Sequence, residues 1–216
     1  MSKIRVLLAE DHTVVRQGLR KILESDPEIE IVGEVGDGRS AVESAKRVRP
    51  SVVVIDIGLP GLNGIEATSQ IVKATDGVSV LILSMPSDDV YVRQGLKAGA
   101  KGYLLKDSED LDLIRAVKSL AHGGSYFSPA VSKVLLAGYL NESGAVQGDD
   151  ALSRLTGRER EVLQLISEGK TNKEIANILS LSINTVESHR KHVMEKLDLH
   201  NTAEIVRFAV RKGIVQ

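Results

Sequence analysis

Five times in its first 123 residues the chain alternates a short apolar run with an amphipathic stretch, and that rhythm restricts the fold more than any other feature. "KIRVLLA" precedes "TVVRQGLRKILES", "EIEIVGEV" precedes "GRSAVESAKRV", and "SVVVI" precedes "NGIEATSQIVKA". "VSVLILS" then precedes "DDVYVRQGLKAG", and "KGYLL" precedes "SEDLDLIRAVKSLAHG". A run such as Val52 to Ile55 is apolar at successive positions, so both faces of that strand are buried. Five strand–helix units predict an α/β fold: a doubly wound, five-stranded parallel sheet of the flavodoxin-like order 2-1-3-4-5. With aromatics at 3% of the chain, its core must be built from Leu, Ile, Val and Ala. The absence of cysteine excludes disulfides, thiolate metal sites and cysteine nucleophiles.

After Gly124 the rhythm stops. A helix is predicted near residues 128–140, followed by the linker composition "NESGAVQGDD". From Leu155 onward the segments read as four helices with short turns, the first capped by Thr156 and stopped at Gly169. The division expected is a first domain at 1–122, a linker with a possible helix at 123–149, and a small all-α domain at 150–216. Charge supports it: residues 1–150 hold 17 Lys/Arg against 21 Asp/Glu, and residues 151–216 hold 11 against 8. The two parts are expected to meet different partners. The short apolar stretch at the N-terminus does not suit a signal peptide, and no apolar run approaches the roughly 20 residues of a membrane span. A soluble, cytoplasmic protein is expected, with no membrane partner.

Ligands of open parallel sheets bind beyond the carboxyl ends of the strands. Strand one ends in Glu10 and Asp11, strand three in Asp56, strand four in Ser84 and strand five in Lys106. Strand two brings no comparable group, and as an edge strand it leaves the other four tips adjacent. Three acids in one crevice repel one another, a conflict that a divalent cation removes. Oxygen donors without His or Cys favour Mg²⁺. A crevice holding a metal, an amine and a hydroxyl suits a phosphoryl group. Asp56 can attack phosphorus to give an acyl phosphate, Lys106 offsets the added charge, and Ser84 donates a hydrogen bond.

"LLAEDH", "VVVIDIGLPGLNGIEA", "LILSMPSDD" and "AGAKGYLLKD" resemble the receiver domain of bacterial two-component response regulators across about residues 3–120. The resemblance implies that Asp56 accepts a phosphoryl group from a sensor histidine kinase. It implies that Asp11, Asp56 and the backbone carbonyl of Gly58 hold Mg²⁺, with Glu10 assisting. Ser84 falls on the switch hydroxyl, Lys106 on the phosphoryl-binding lysine and Tyr103 on the aromatic that changes rotamer. Asp107, Leu59 and Met85 depart from the commonest residues at their positions, and bulky Met85 stands where it can partly cover the site. Gly58 and Pro86, two residues beyond Asp56 and Ser84, offer no side chain to orient an attacking water, so loss of phosphate should be slow. Gly58→Glu or Gly58→Asn should then shorten the lifetime of the phosphorylated chain, timed by mass; an unchanged half-life would sink the idea.

The second domain follows another logic. Ile175, Ala176 and Leu179 give one helix an apolar face, Ser182 suits a cap, and Val186, Val193 and Leu197 supply the stripe of the next. A short helix, a tight turn and a polar-faced helix make the helix-turn-helix of many DNA-binding proteins, although an ordinary helical hairpin shares the pattern. "LTGREREVLQLISEGKTNKEIANILSLSINTVESHRKHVMEKL" resembles the LuxR-type DNA-binding domain over roughly residues 150–214. The resemblance implies that Glu187, Ser188 and Lys191 point at base edges. Thr171, Asn172, Lys173, Thr185, Arg190 and His192 become candidates for phosphate contact. Thr156, Arg158, Glu159 and Glu161 read as capping and packing residues. His189 and His192 have no carboxylate at metal-ligand spacing and do not read as ligands.

Together the halves resemble a response regulator of the NarL/FixJ class. Phosphorylation of Asp56 would then free the C-terminal domain or pair it as a homodimer on promoter DNA, through "TAEIVRFAVRKG". Two rivals remain. A dehalogenase-type phosphatase would want a second Asp where Gly58 stands. A phosphate-independent regulator would have no need of the complete set of acids, hydroxyl and lysine.

Overall fold

The structure, a computed structural model, describes residues 3–85, 89–141, 151–212 and 214–215, and the side chains of these except 89, 137–141 and 153. Pro86 and most of the linker composition therefore lie outside the described residues. The chain divides into two compact units, Met1–Ala145 and Val146–Gln216.

In the first unit β1 (Ile4–Ala9), β2 (Ile29–Val35), β3 (Val52–Asp56), β4 (Ser79–Ser84) and β5 (Gly102–Leu105) form a parallel sheet. The order is β2-β1-β3-β4-β5, as the alternation predicts, and a sixth strand, β6 (Tyr126–Phe127), extends it beyond β5. The helices are α1 (Thr13–Glu24), α2 (Gly38–Val48), α3 (Gly64–Ala74), α4 (Asp89–Lys97), α5 (Asp110–Ala121) and α6 (Pro129–Asn141). Alternate residues of each strand face opposite layers. Leu7, Val53, Ile55 and Ile82 pack with Ala41, Ala67 and Ile71 of α2 and α3. Val6, Leu8, Val52 and Val54 pack with Leu23 of α1 and Leu113, Val117 and Leu120 of α5. Every residue of β3 is buried, which is why its sequence reads as a continuous apolar run up to Asp56.

The segment that reads as linker in sequence is folded onto the sheet where it can be described. Tyr126 and Phe127 pair with Gly102 and Tyr103 of β5, and the Ser128 N–H donates to the Tyr103 carbonyl at 3.2 Å. Val131 of α6 is fully buried in the same cluster as Tyr103 and Val92, with Val134 and Leu135 packed against it. The Tyr126 hydroxyl donates to Asp112 Oδ1 at 2.7 Å, tying β6 to α5. Val131→Ala should destabilise the first unit by about 1–3 kcal/mol through lost burial and a residual cavity. Urea unfolding of that unit would check it; a variant as stable as the parent would mean that α6 is not part of the core.

The second unit contains a 3₁₀ turn (Ala151–Arg154), α7 (Gly157–Ser167), α8 (Asn172–Leu179), α9 (Ile183–Leu197) and α10 (Thr202–Arg211). Its helix starts are set by side-chain caps. Thr156 forms a capping box with Glu159, Thr171 forms one with Glu174, and Ser182 and Asn201 accept from Thr185 and Glu204 N–H groups. Gly169, at φ 81°, turns the chain after α7 at little steric cost. Val162, Leu163, Ile166, Ile175, Leu179, Val186, Val193, Ile205 and Phe208 form one core. Among the described residues no helix is long and apolar enough to cross a membrane.

Candidate functional site

Parallel register brings the tips of β1, β3, β4 and β5 side by side: Ala9 pairs with Ile55, Asp56 with Leu83, and Ser84 with Leu105. The residues just past those tips therefore face one crevice. Lys106 Nζ donates to Glu10 Oε2 at 2.7 Å and lies 3.0 Å from Asp56 Oδ1. All three are largely withdrawn from water, with side-chain exposures of 14%, 1% and 6%. The Lys106 N–H also donates to the Ser84 carbonyl at 2.7 Å, which locks the β5 tip onto β4.

Close approach of α3 completes the floor. A Cβ at Gly64 would lie 2.0 Å from the Asp56 carbonyl oxygen, so only glycine lets α3 start so near the acid. Asn63 caps that helix through Glu66 N–H at 2.9 Å. The loop between is pinned by Ile57 N–H to the Leu83 carbonyl at 3.3 Å and Gly64 N–H to the Ile57 carbonyl at 2.9 Å. Gly58 sits half-buried in that loop. Ser84 is buried at the β4 tip, next to Met85, which is 63% exposed. Tyr103 stands apart: its ring is fully buried under α4 in the core, in the conformer that points inward.

Burial raises the Asp56 carboxyl above the usual carboxylate range; Lys106 opposes this, and the charges of Glu10 and Asp11 add to it. Burial works against the Lys106 ammonium, yet the hydrogen bond to Glu10 and the charge of Asp56 outweigh it and hold the lysine above its ordinary value. One lysine therefore compensates the crevice incompletely. Asp11 Oδ1 is shielded from solvent and accepts no hydrogen bond among the described residues. The His12 ring nitrogen lies 2.9 Å from it, outside hydrogen-bonding geometry, and 3.2 Å from Glu10 Oε1. A buried oxygen without a donor, beside further carboxylates, fits a hard cation.

Sequence reasoning missed two neighbours. His12 joins Glu10 and Asp11 in a cluster able to hold a metal ion, adding a nitrogen to a donor set expected to be all oxygen. The Arg16 guanidinium donates to the Glu10 carbonyl, fixing the β1 tip from α1. The run "EDH" carried the first signal; nothing short of the fold reveals the second.

In the second unit the candidate DNA face is formed by the start of α8 and the outer side of α9. Thr171, Lys173, Glu187, Ser188, Lys191 and His192 are exposed, while Asn172, Thr185 and Arg190 are half-buried. Arg190 donates to Asn172 Oδ1 at 3.4 Å and to the Thr202 hydroxyl, so it braces the starts of α8 and α10. Lys191 reaches Glu195 at 3.7 Å, an exposed pair that leaves it available. His192 Nδ1 lies 3.9 Å from Glu159 Oε1 of α7, and among the described residues it belongs to no cluster able to hold a metal ion.

Comparison with known proteins bears on both units. Residues 6–118 match the family model "Response regulator receiver domain", and residues 153–209 match "Bacterial regulatory proteins, luxR family". The chain is 37% identical to "Oxygen regulatory protein NreC" of Staphylococcus carnosus, over 98% of this chain and 99% of that one. It is 36% identical to "Transcriptional regulatory protein DegU" of Brevibacillus brevis, over 100% and 96%. A solved structure described as two RcsB dimers bound to two parallel DNAs matches with TM-score 0.59 and 27% identity, over 97% of this chain and 98% of that one.

Proposed function

Because the chain belongs to the response regulators that join a receiver to a LuxR-type DNA-binding domain, we propose that phosphorylation of Asp56 by a sensor histidine kinase switches it. It is a DNA-binding transcriptional regulator and not an enzyme. The observation that carries the switching role is the contact of Lys106 with both Glu10 and Asp56 at the tips of buried parallel strands. An acidic cluster of this kind is typical of the Mg²⁺-dependent phosphorylation site of receivers.

Asp56 is the phosphoacceptor. Asp11, Asp56 and the Gly58 carbonyl would hold Mg²⁺, with Glu10 assisting. The cation would supply charge neutralisation for the phosphoryl oxygens. Lys106 pairs with the transferred phosphoryl group, and its contact with Asp56 is exchanged for one with a phosphoryl oxygen. The Ser84 hydroxyl donates to another, and Tyr103 follows within the core behind it. The extra negative charge is the input, and a changed affinity between surfaces is the output. That change frees the second unit or pairs it as a homodimer on promoter DNA, as dimers are described on DNA for RcsB. The work is cytoplasmic.

On the DNA, Glu187, Ser188 and Lys191 read base edges in the major groove. Thr171, Asn172, Lys173, Thr185, Arg190 and His192 contact phosphates. Lys173→Ala should lower affinity for all duplexes alike and reduce the salt slope by about one. Lys191→Ala should cost about 1–3 kcal/mol on a preferred site only. Binding titrations over a salt series separate the two; equal effects on preferred and scrambled duplexes from Lys191→Ala would remove it from base reading.

The decisive experiment exposes the full chain to acetyl phosphate and Mg²⁺, with and without Asp56→Ala. Mass and DNA binding are read together. An adduct and altered DNA affinity in the parent, both lost in the variant, are expected. An adduct on the variant, or DNA affinity indifferent to phosphorylation, overturns the proposal.

A further inference from the structure

The outer side of α9 can address DNA only if the helix is held at one rotation about its own axis. An apolar stripe of Val186, Val193 and Leu197 orients it coarsely, since such stripes tolerate small rotations and slips. Polar contacts flank that stripe on both sides. One flank carries Arg190, bonded to Asn172 and Thr202. The other carries His192 and Lys196, four residues apart and so neighbours on one face.

Both residues of that second flank converge on Glu159 of α7. Lys196 Nζ donates to both carboxylate oxygens, at 2.9 and 2.7 Å, and His192 Nδ1 lies 3.9 Å away. The same carboxylate accepts the Thr156 N–H at 2.8 Å, closing the capping box of α7. The Glu159 side chain is 4% exposed, whereas Lys196 is 38% exposed. Burial disfavours the ionised carboxyl, but Lys196 and Thr156 prevail and hold it below the usual range. A cap alone needs an acceptor at this position, and glutamine would serve. A buried charge is more than the cap requires, and its partner lies 37 residues away on the reading helix.

We propose that Glu159 is a positioning residue for DNA recognition: through Lys196 it fixes the rotation of α9 that presents Glu187, Ser188 and Lys191 to the bases. It touches no DNA. The proposal rests on α9 being the reading helix.

The test uses the phosphorylated full chain and two probes: a duplex selected by the parent from a randomised pool, and a scrambled duplex of equal length. Glu159→Gln keeps an acceptor for Thr156 but loses the ion pair. It should lower the ratio of selected to scrambled affinity about tenfold with an unchanged salt slope. Lys196→Gln should do the same, the double variant should be no worse than either, and Lys196→Arg should keep the ratio. Binding is measured well below each melting temperature, so a merely structural loss would leave the ratio intact and overturn the proposal. A salt slope reduced by about one in Lys196→Gln overturns it as well, because Lys196 would then be a phosphate contact. If Glu159→Gln does not fold, Lys196→Gln decides by the same criteria. Lys191→Ala runs alongside. If it lowers the ratio while the Glu159 and Lys196 variants do not, the positioning role fails and the reading helix stands. If none lowers it, both fail.

Discussion

Asp56→Asn is expected to abolish the phosphoryl adduct and, in metal-free buffer, to make the first unit more stable. The first effect follows from chemistry: an amide oxygen is too poor a nucleophile to replace the carboxylate. The second follows from the raised Asp56 carboxyl. A group that holds its proton more tightly when folded than the 3.8 of its unfolded state favours folding fully below that value. The contribution is lost as pH rises through the higher folded value. Where Asp56 is ionised, it is so at a cost that asparagine does not incur. The gain should be about 1 kcal/mol at pH 7.5, because Lys106 keeps Glu10 as its buried partner while one of the mutually repelling carboxylates is removed. It should shrink as the buffer is acidified, because the parent then becomes neutral too. Melting both proteins in a chelator at pH 7.5 and pH 5 checks this. A variant less stable than the parent at pH 7.5, or a gap that widens in acid, would contradict it. Mg²⁺ should stabilise the parent more than the variant, since the variant offers one carboxylate fewer.

Lys106→Met is expected to act in the opposite direction on stability. It leaves Glu10 and Asp56 facing each other in a buried crevice without the cation that now touches both. Removing one partner of a buried ion pair costs about 3–5 kcal/mol, most of it from the charge left uncompensated. Lys106, with its pKa raised by the fold, contributes stability fully present below its ordinary 10.5 and lost only as pH rises through the folded value. Between pH 5 and pH 8 the lysine is therefore always charged, and the pH dependence of the defect comes from the acids. Without Lys106 the carboxyl of Asp56 moves higher still, so the defect should be largest near pH 8 and smaller near pH 5. Phosphoryl uptake from acetyl phosphate should slow by about 10²–10³, the scale for removing one preorganised electrostatic contact. Urea titrations at the two pH values and the rate of adduct formation test both parts. Parental stability at pH 7.5 would mean that the acids are neutral without the lysine.

Much of this was legible in the chain because buried parallel strands announce themselves. A strand covered on both faces must be apolar at every position, so β3 and β4 are visible, and the polar residue that ends each run marks its tip. Glu10, Asp56 and Lys106 were therefore assignable to one crevice before any distance was known. What stayed hidden depends on partners far along the chain. Tyr126 and Phe127 form a strand only because β5 offers an unpaired edge, and two residues among Ser, Gly and Pro carry no periodicity of their own. His12 is a different case: it adjoins Glu10 and Asp11 in the sequence, and only its rotamer decides that its ring turns toward them. Glu159 read correctly as a cap, but its second duty is set by how α7 crosses α9. Met85 reads as a lid by size, and stands largely exposed.

The sixth strand has a consequence for engineering. Receivers invite modular exchange, and the family match, which ends at residue 118, suggests a junction soon after α5. A cut there would strip β6 from β5, expose a row of backbone donors and acceptors, and empty the pocket that Val131 fills beside Tyr103. The portable sensor is instead the segment through α6, and a chimera joined past that helix carries its own edge protection into the new host.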